Sequence, residues 1–330
     1  MRRTAWALAA ALGLFGASGT PRGALPRSAL AARDDAGRWV RVWSSDSAPN
    51  VWRDTTLGAL ARWRAGAPGV EWAELTLAGS GEAWRTRLVV ARVDPARVRL
   101  DLDTAFTAAH DPAWTLGRAP DDAALAVNAG QFAASMPWGW VVLDGRRWLG
   151  AQPGPLSAAL VEDASGALRW VRGGDVARAA SDSLGSTPRW AFQSYPALLE
   201  GDTVPAPLRA PGRGVSVTHR DARAALCLDH TGRLVVALTR FDAVGEWLGA
   251  VPFGLTAPEM AAVMGSLGCR DAMLLDGGIS ARLLVRDASG QAHRWEGMRP
   301  VPLALVATVA RPERNDNQQP STTIQGIAVP

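Results

Sequence analysis

The sequence predicts a single-domain α+β fold, a mixed, largely antiparallel twisted sheet with few helices. Three observations carry this reading. Short apolar runs of strand length recur along the chain, many of them are joined by Asp-Gly, Ser-Gly or Thr-Gly turns, and only one segment has a clear helical period. No internal repeat and no second unit of independent size is visible.

From the N-terminus, Arg2 and Arg3 precede an apolar stretch from Ala5 to Ala17, and Ala17-Ser18-Gly19 supplies small residues for cleavage. Residues 1–19 therefore read as a secretory signal peptide. The alternative, a retained membrane anchor, is opposed by length, because about 20 apolar residues are needed to span a bilayer. The mature protein is accordingly expected to be secreted or periplasmic, with no stable membrane insertion. Residues 20–38, rich in Ala, Arg, Gly and Pro, read as a poorly ordered lead-in, and residues 311–330 as a polar tail.

Residues 39–86 form an N-terminal extension crowded with Trp39, Trp43, Trp52, Trp63 and Trp72, in which Trp52, Leu60 and Trp63 suggest an amphipathic helix. The main domain spans 87–310. It opens with RLVVARVDPARVRLDL (87–102), a strand, turn, strand signal around Asp94-Pro95. Further strand runs are ALAVNAG (124–130), WVVLDG (140–145), SAALVEDASGALRWV (157–171), AALCLDHTGRLVVAL (224–238), RLLVRDASGQAHRW (282–295) and LALVATV (303–309). Several of these read as hairpins. The clear helix is TAPEMAAVMGSLG (256–268). Thr256 and Glu259 make a capping box, Pro258 fits the first turn, Gly268 is a stop, and Met260, Val263, Met264 and Leu267 mark one buried face.

Composition excludes some functions. There are 35 basic residues, all Arg, against 31 acidic ones, and the charge of +4 falls to +2 without Arg2 and Arg3, so there is no nucleic-acid footprint. Cys227 and Cys269 are too few for a disulfide framework or a cysteine zinc site; they either pair after export or sit reduced in the core. Four scattered histidines without HExxH give no legible metal cage, and no cofactor is expected.

Three places pair a strand end with polar chemistry. In AMLLDGGISARLLV (272–285), Asp276 ends a buried run, Gly277 and Gly278 permit close approach of another group to the backbone, and Ser280 adds a hydroxyl; an ordinary Asp-Gly turn reads the same way. In AVNAGQF (126–132), Asn128, Gly130 and Gln131 offer the amide donors and acceptors that sugar hydroxyls require, as an Asn-containing turn also would. In SVTHRDARAALCLD (216–229), His219, Arg220, Asp221 and Arg223 crowd a strand entry, where arginine suits a phosphate or carboxylate; the alternative is a solvated, charged strand start.

Taken in order, these stretches resemble the phosphodiester glycosidase family. NAGQF (128–132) matches its N-[AG]-G-x-F element, YPALLEGD (195–202) its P-x-L-L-x-x-G element, Arg223-Ala224-Ala225 its R-[TN]-A element, and LGCRDAMLLDGG (267–278) its closing helix and L-D-G-G. The resemblance runs from about Arg87 to Val309. Departures are Ile279 for a third glycine, Ala281 for a second serine, Ala224 for Thr and Tyr195 for Gly, a version seen in divergent bacterial members.

The resemblance implies a hydrolase that cleaves the glycosidic C–O bond of a carbohydrate phosphodiester. It selects Asp276 as nucleophile or as base to a water, with Arg223, assisted by Arg220 or His219, on the phosphate and with Asn128 and Gln131 orienting the sugar. Glycosidases commonly use two carboxylates. The second is left open among Glu200, Asp202, Asp221, Asp242 and Glu246. The rival reading is a non-catalytic, glycan-binding module of the cell envelope with tryptophans as stacking platforms. Convergence of Asn128, Arg223 and Asp276, as opposed to a line of exposed Trp faces, discriminates the two.

Overall fold

A computed structural model of the chain describes residues 27–106, 114–133, 135–154, 156–181, 187–242 and 253–310. The expected signal peptide and polar tail lie outside these residues, as does Glu246. Among the described residues the architecture is three large antiparallel sheets, a two-stranded one (Phe132–Ala133 with Met136–Pro137) and few helices, as the sequence predicts. The large, nine-stranded sheet runs Ala197–Leu199, Cys269–Leu274, Ala224–Asp229, Leu234–Phe241, Thr86–Val93, Val70–Gly79, Ala29–Arg33 and Trp39–Ser44, with Arg64–Ala65 added against Val70–Gly79. The second sheet is ordered Arg146–Leu149, Val141–Leu143, Trp190–Ser194, Ala158–Glu162, Leu168–Arg172. The third is ordered Ala292–Trp295, Leu283–Arg286, Ala123–Asn128, Leu303–Val309, Val98–Thr104. No described helix is long and apolar enough to cross a membrane.

The hairpins form where the turn chemistry places them. Three share one loop, Asp-x-Ser/Thr-Gly. In each the Asp Oδ1 accepts from the main-chain N–H groups two and four residues on and from the hydroxyl between: Asp163 with Ser165 and Ala167, Asp229 with Thr231 and Arg233, Asp287 with Ser289 and Gln291. The glycine that follows has φ of +85°, +79° and +89°, respectively, the left-handed conformation that closes the loop. Asp94-Pro95 behaves differently. Thr86–Val93 belongs to the large sheet and Val98–Thr104 to the third, so this turn carries the chain between sheets.

The N-terminal half corrects three expectations. Ala29–Arg33, expected within a poorly ordered lead-in, is a strand paired on both sides, with Leu30 and Ala32 fully buried. Nor do residues 39–86 stand apart, because Val70–Gly79 pairs along its length with Thr86–Val93. The helix suggested by Trp52, Leu60 and Trp63 shrinks to Thr56–Leu60, since Arg64–Ala65 is drawn into the sheet. Trp52 instead packs on Gly265 so closely that a Cβ there would lie 2.3 Å from the indole. A further helix, Gly173–Ser181, has no strong start signal in Gly173-Gly174 and buries only Val176.

The helix Ala257–Ser266 carries the expected capping box, Thr256 Oγ1 accepting from Glu259 N and Glu259 Oε2 accepting from Thr256 N, and Gly268 stops it at φ +89°. It is buried on every face, not one, because it packs against the strands Ala197–Leu199 and Cys269–Leu274 and also touches Trp39–Ser44 and Thr56–Leu60.

The cysteines pair. Cys227 and Cys269 join two neighbouring strands of the large sheet, with Cα atoms 5.8 Å apart and a sequence separation of 42. Closing a loop of that length restricts the unfolded chain, so a Cys227→Ala/Cys269→Ala double variant is expected to lose about 2–4 kcal/mol in a urea titration, with a larger m-value because its unfolded chain is more expanded.

Candidate active site

The ends of strands from all three sheets meet at one place, and main-chain hydrogen bonds hold them there. Leu274 donates to the Pro196 carbonyl (2.9 Å) and accepts from the Ser194 hydroxyl (2.5 Å), tying the Cys269–Leu274 end to the Trp190–Ser194 end. Asp276 N donates to the Gly130 carbonyl (2.8 Å), which ties it to the end of Ala123–Asn128. Leu275 N donates to the Ala224 carbonyl (2.8 Å), at the start of Ala224–Asp229. Between these ends lies a cleft of about 260 Å³, whose walls include Gln131, Tyr195, His219, Asp221, Arg223 and Asp276. Ligand pockets commonly run from roughly 300 Å³ upward, so this one suits a small group.

Asp276 sits largely buried, and desolvation lifts its carboxyl to a pKa of about 6. The Ser280 hydroxyl, which hydrogen-bonds to it, and the charges of Arg299 and Arg282 pull it down, while the charge of Asp221 pushes it up. That last influence identifies a second acid. Asp221 lines the same cleft, its own carboxyl is pushed above the usual range by burial against the pull of Arg223 and His219, and its Oδ1 is buried without a hydrogen-bond partner. Glu200 and Asp202, in the turn after Ala197–Leu199, and Asp242, paired with Arg87, are not among the residues lining the cleft.

The two glycines bring these acids together. Gly278 has φ +58°, and a Cβ on it would lie 2.9 Å from Asp221 Oδ2; one on Gly277 would lie 2.6 Å from the Ala222 carbonyl. Gly278 N donates to that carbonyl at 2.7 Å. The close approach read from Gly277-Gly278 therefore occurs, but the backbone they admit is the chain's own segment 221–222.

The remaining predicted residues divide. Gln131 is in the cleft wall and donates to the Tyr195 carbonyl (3.0 Å). His219 is in the wall and exposed, its Nε2 3.6 Å from Asp221 Oδ2. Arg223 is in the wall, with Nε on the Leu255 carbonyl (2.8 Å) and Nη2 on the His219 carbonyl (2.6 Å); burial pulls its guanidinium pKa down while Asp221 and Glu259 oppose. Gly130, at φ +67°, supplies the carbonyl that holds Asp276 and passes within 3.0 Å, by an added Cβ, of the Gln193 carbonyl.

Three expectations need correction. Asn128 is buried beneath the cleft and is not free for a sugar: its Nδ2 donates to the Asp276 carbonyl (2.8 Å) and its Oδ1 accepts from Arg282 N (3.1 Å). Ser280 is buried too and serves Asp276, not a ligand. Arg220 is not among the cleft residues. It grips the fully buried Glu259 with two bonds of 2.7 and 2.8 Å, because a carboxylate taken out of water requires a counter-charge.

Sequence reading missed Arg282, which is 1% exposed and donates to the carbonyls of Ser280, Trp114 and Arg299. Nothing in GGISAR separates it from a solvated arginine. The tryptophans form no exposed line. Trp43, Trp52, Trp72, Trp114, Trp140 and Trp190 are in the core, and among the described residues only Trp39, Trp84 and Trp148 are exposed.

The family model described as phosphodiester glycosidase matches residues 121–308, more than half of the chain. No curated protein matches. Among solved structures, the catalytic domain of zebrafish N-acetylglucosamine-1-phosphodiester alpha-N-acetylglucosaminidase, auto-inhibited by its pro-peptide, is similar in fold. It has a TM-score of 0.55 and 14% identity over 76% of this chain and 88% of that one. A hypothetical protein from Synechocystis matches with a TM-score of 0.42 and 16% identity over 73% of this chain, which spans 62% of that protein's length.

Two stability predictions follow from these charges. Arg220→Ala leaves Glu259 buried and unpaired and is expected to cost about 3–5 kcal/mol by chemical denaturation, with little change at the cleft. For Asp276 the folded-state pKa lies above the ordinary value of 3.8. The native state therefore binds the extra proton, and stability present at low pH is lost as pH rises from about 4 through about 6. Asp276→Asn removes the buried charge, so its Tm at pH 7.5 is expected to exceed that of the wild type, with the difference vanishing below pH 4.

Proposed function

The chain belongs to the phosphodiester glycosidase family, and from that premise we propose that it is an exported hydrolase cleaving the glycosidic C–O bond of a sugar-1-phosphodiester in an envelope or extracellular glycan. The observation that carries this reading is the placement of two desolvated carboxylates, Asp276 and Asp221, in one cleft with Arg223. The activity named for the zebrafish structure points to the same class of substrate. The disulfide favours an oxidising compartment, in keeping with the basic, apolar and small-residue pattern of residues 1–19.

The chemistry asks little of a general acid. A phosphate monoester leaves readily, so the site must neutralise charge on the departing phosphate and support positive charge at the anomeric carbon. In this reading the guanidinium of Arg223, with its Nε and Nη2 turned to backbone carbonyls, is oriented to take a phosphate oxygen on its remaining edge, and His219 at the rim assists. Asp276, ionised, attacks the anomeric carbon or takes a proton from the attacking water. Asp221, facing it across Gly278, raises the Asp276 pKa by its charge. A dry site strengthens each of these interactions.

The test is release of free sugar from N-acetylglucosamine-1-phosphate diesters and a panel of other sugar-1-phosphodiesters by the purified mature protein. Asp276→Asn is expected to reduce kcat/KM by about 10²- to 10⁴-fold while remaining folded. Because Asp276 acts ionised, kcat/KM is expected to rise with pH through a midpoint near 6. A profile that falls through pH 6, or an Asp276→Asn variant as active as the wild type, overturns the assigned role. Absence of release over the whole panel leaves the glycan-binding reading.

A further inference from the structure

A doubly substituted phosphate keeps one full negative charge spread over two non-bridging oxygens, and Arg223 has already committed two of its N–H directions to the Leu255 and His219 carbonyls. Arg220, the other arginine that sequence placed there, is held by Glu259. A third arginine stands beside the site on a different element, outside the residues that line the cleft. Arg299 is exposed, and its guanidinium carbon lies 4.8 Å from the centre of the Phe132 ring, next to Gln131 of the cleft wall.

Its main chain is fixed from both sides. Arg299 N donates to the Ile279 carbonyl (3.0 Å), in the turn that follows Asp276-Gly277, and its own carbonyl accepts from the buried guanidinium of Arg282. Among the described residues no acidic side chain pairs with it, although its charge is felt at Asp276. A guanidinium lying on an aromatic face keeps its N–H groups in the ring-parallel plane, available for two parallel bonds to an anion.

We propose that Arg299 is an anion-binding arm of the cleft, carried on Phe132, which grips the non-bridging oxygens of the substrate's phosphate together with Arg223. Its ligand chemistry rests on the phosphodiester reading for the substrate, but binding of the anion itself does not require turnover. Arg223 follows segment 221–222 in the chain and Arg299 N is bonded to the Ile279 carbonyl, so the two cations are carried by the two backbone segments whose contact positions Asp276.

The experiment uses the full mature chain and two readouts. Calorimetric titration with inorganic phosphate and with N-acetylglucosamine-1-phosphate at pH 7.5 and low salt compares wild type, Arg299→Gln, Arg299→Lys and Phe132→Ala. Expected are about tenfold or greater weakening for Arg299→Gln, partial recovery for Arg299→Lys, which keeps charge but loses the fork, and an intermediate loss for Phe132→Ala. In hydrolysis assays KM rises for Arg299→Gln with kcat little changed. The pH midpoint of kcat/KM moves upward, because Asp276 then feels Asp221, Arg282 and the Ser280 hydroxyl, with Arg223 and His219 beyond Asp221, but no longer Arg299. The inference is overturned if wild type does not bind phosphate, or if Arg299→Gln, with an unchanged Tm, leaves phosphate affinity and KM unaltered. Phosphate binding that depends on Arg299 in a protein that hydrolyses no phosphodiester sustains the arm and removes the hydrolase reading; hydrolysis indifferent to Arg299 does the reverse.

Discussion

The site depends on one backbone contact, the seating of Gly277-Gly278 against Asp221-Ala222. A side chain at either glycine would occupy the space of the Ala222 carbonyl or the Asp221 carboxylate, so only glycine allows the two segments to meet. Their contact joins the exit of one strand to the entry of its neighbour and holds two acids where water is scarce. The Cys227–Cys269 bond ties the same two strands further along, and Asn128 fixes the Asp276 carbonyl from the third sheet. Three independent devices thus converge on the position of one carboxylate.

That arrangement opposes stability. Charges removed from water are unfavourable unless paired, and here Asp276 has a hydroxyl and flanking arginines but no bidentate partner, while Asp221 keeps an unbonded oxygen. A few residues away the same physics is resolved in the opposite way: Glu259 is fully buried and Arg220 satisfies it with two hydrogen bonds. The first pair is left incompletely satisfied and the second serves the fold. Strained electrostatics of this kind concentrate where chemistry is done.

The distribution of aromatics bears on the rival reading. A surface module would need tryptophan faces turned outward, yet most described tryptophans fill the core or its margin. Trp52 lies in the slot left by Gly265, Trp72 packs edge-on to Trp295, and Trp63 lies under Arg92. They stabilise the layer that residues 39–86 add to the large sheet.

Sequence by itself determined what neighbouring residues can settle. The Asp-x-Ser/Thr-Gly loops, the capping box at Thr256 and Glu259, the glycine stop at Gly268 and the acid at the end of a buried run are all closed by bonds within a few residues, so their chemistry is visible in order. The antiparallel class follows from such patterns, whereas Asp276, Arg223 and Gln131 stand out from ordinary turns and strand starts only when their motifs are taken in order as a family resemblance. Only the tertiary structure decided which charges meet. Arg220 and Arg223 stand three residues apart, yet one turns to Glu259 and the other to the cleft; Asp221 lies in the cleft with Asp276, where a distant glycine lies against it; Asn128, chosen for a sugar, is taken by the Asp276 backbone; and Ala29–Arg33 orders because two strands offer it hydrogen bonds. The fate of a polar group depends on what packs against it from elsewhere in the chain, and that partner is set by the fold, not by the group's own neighbours.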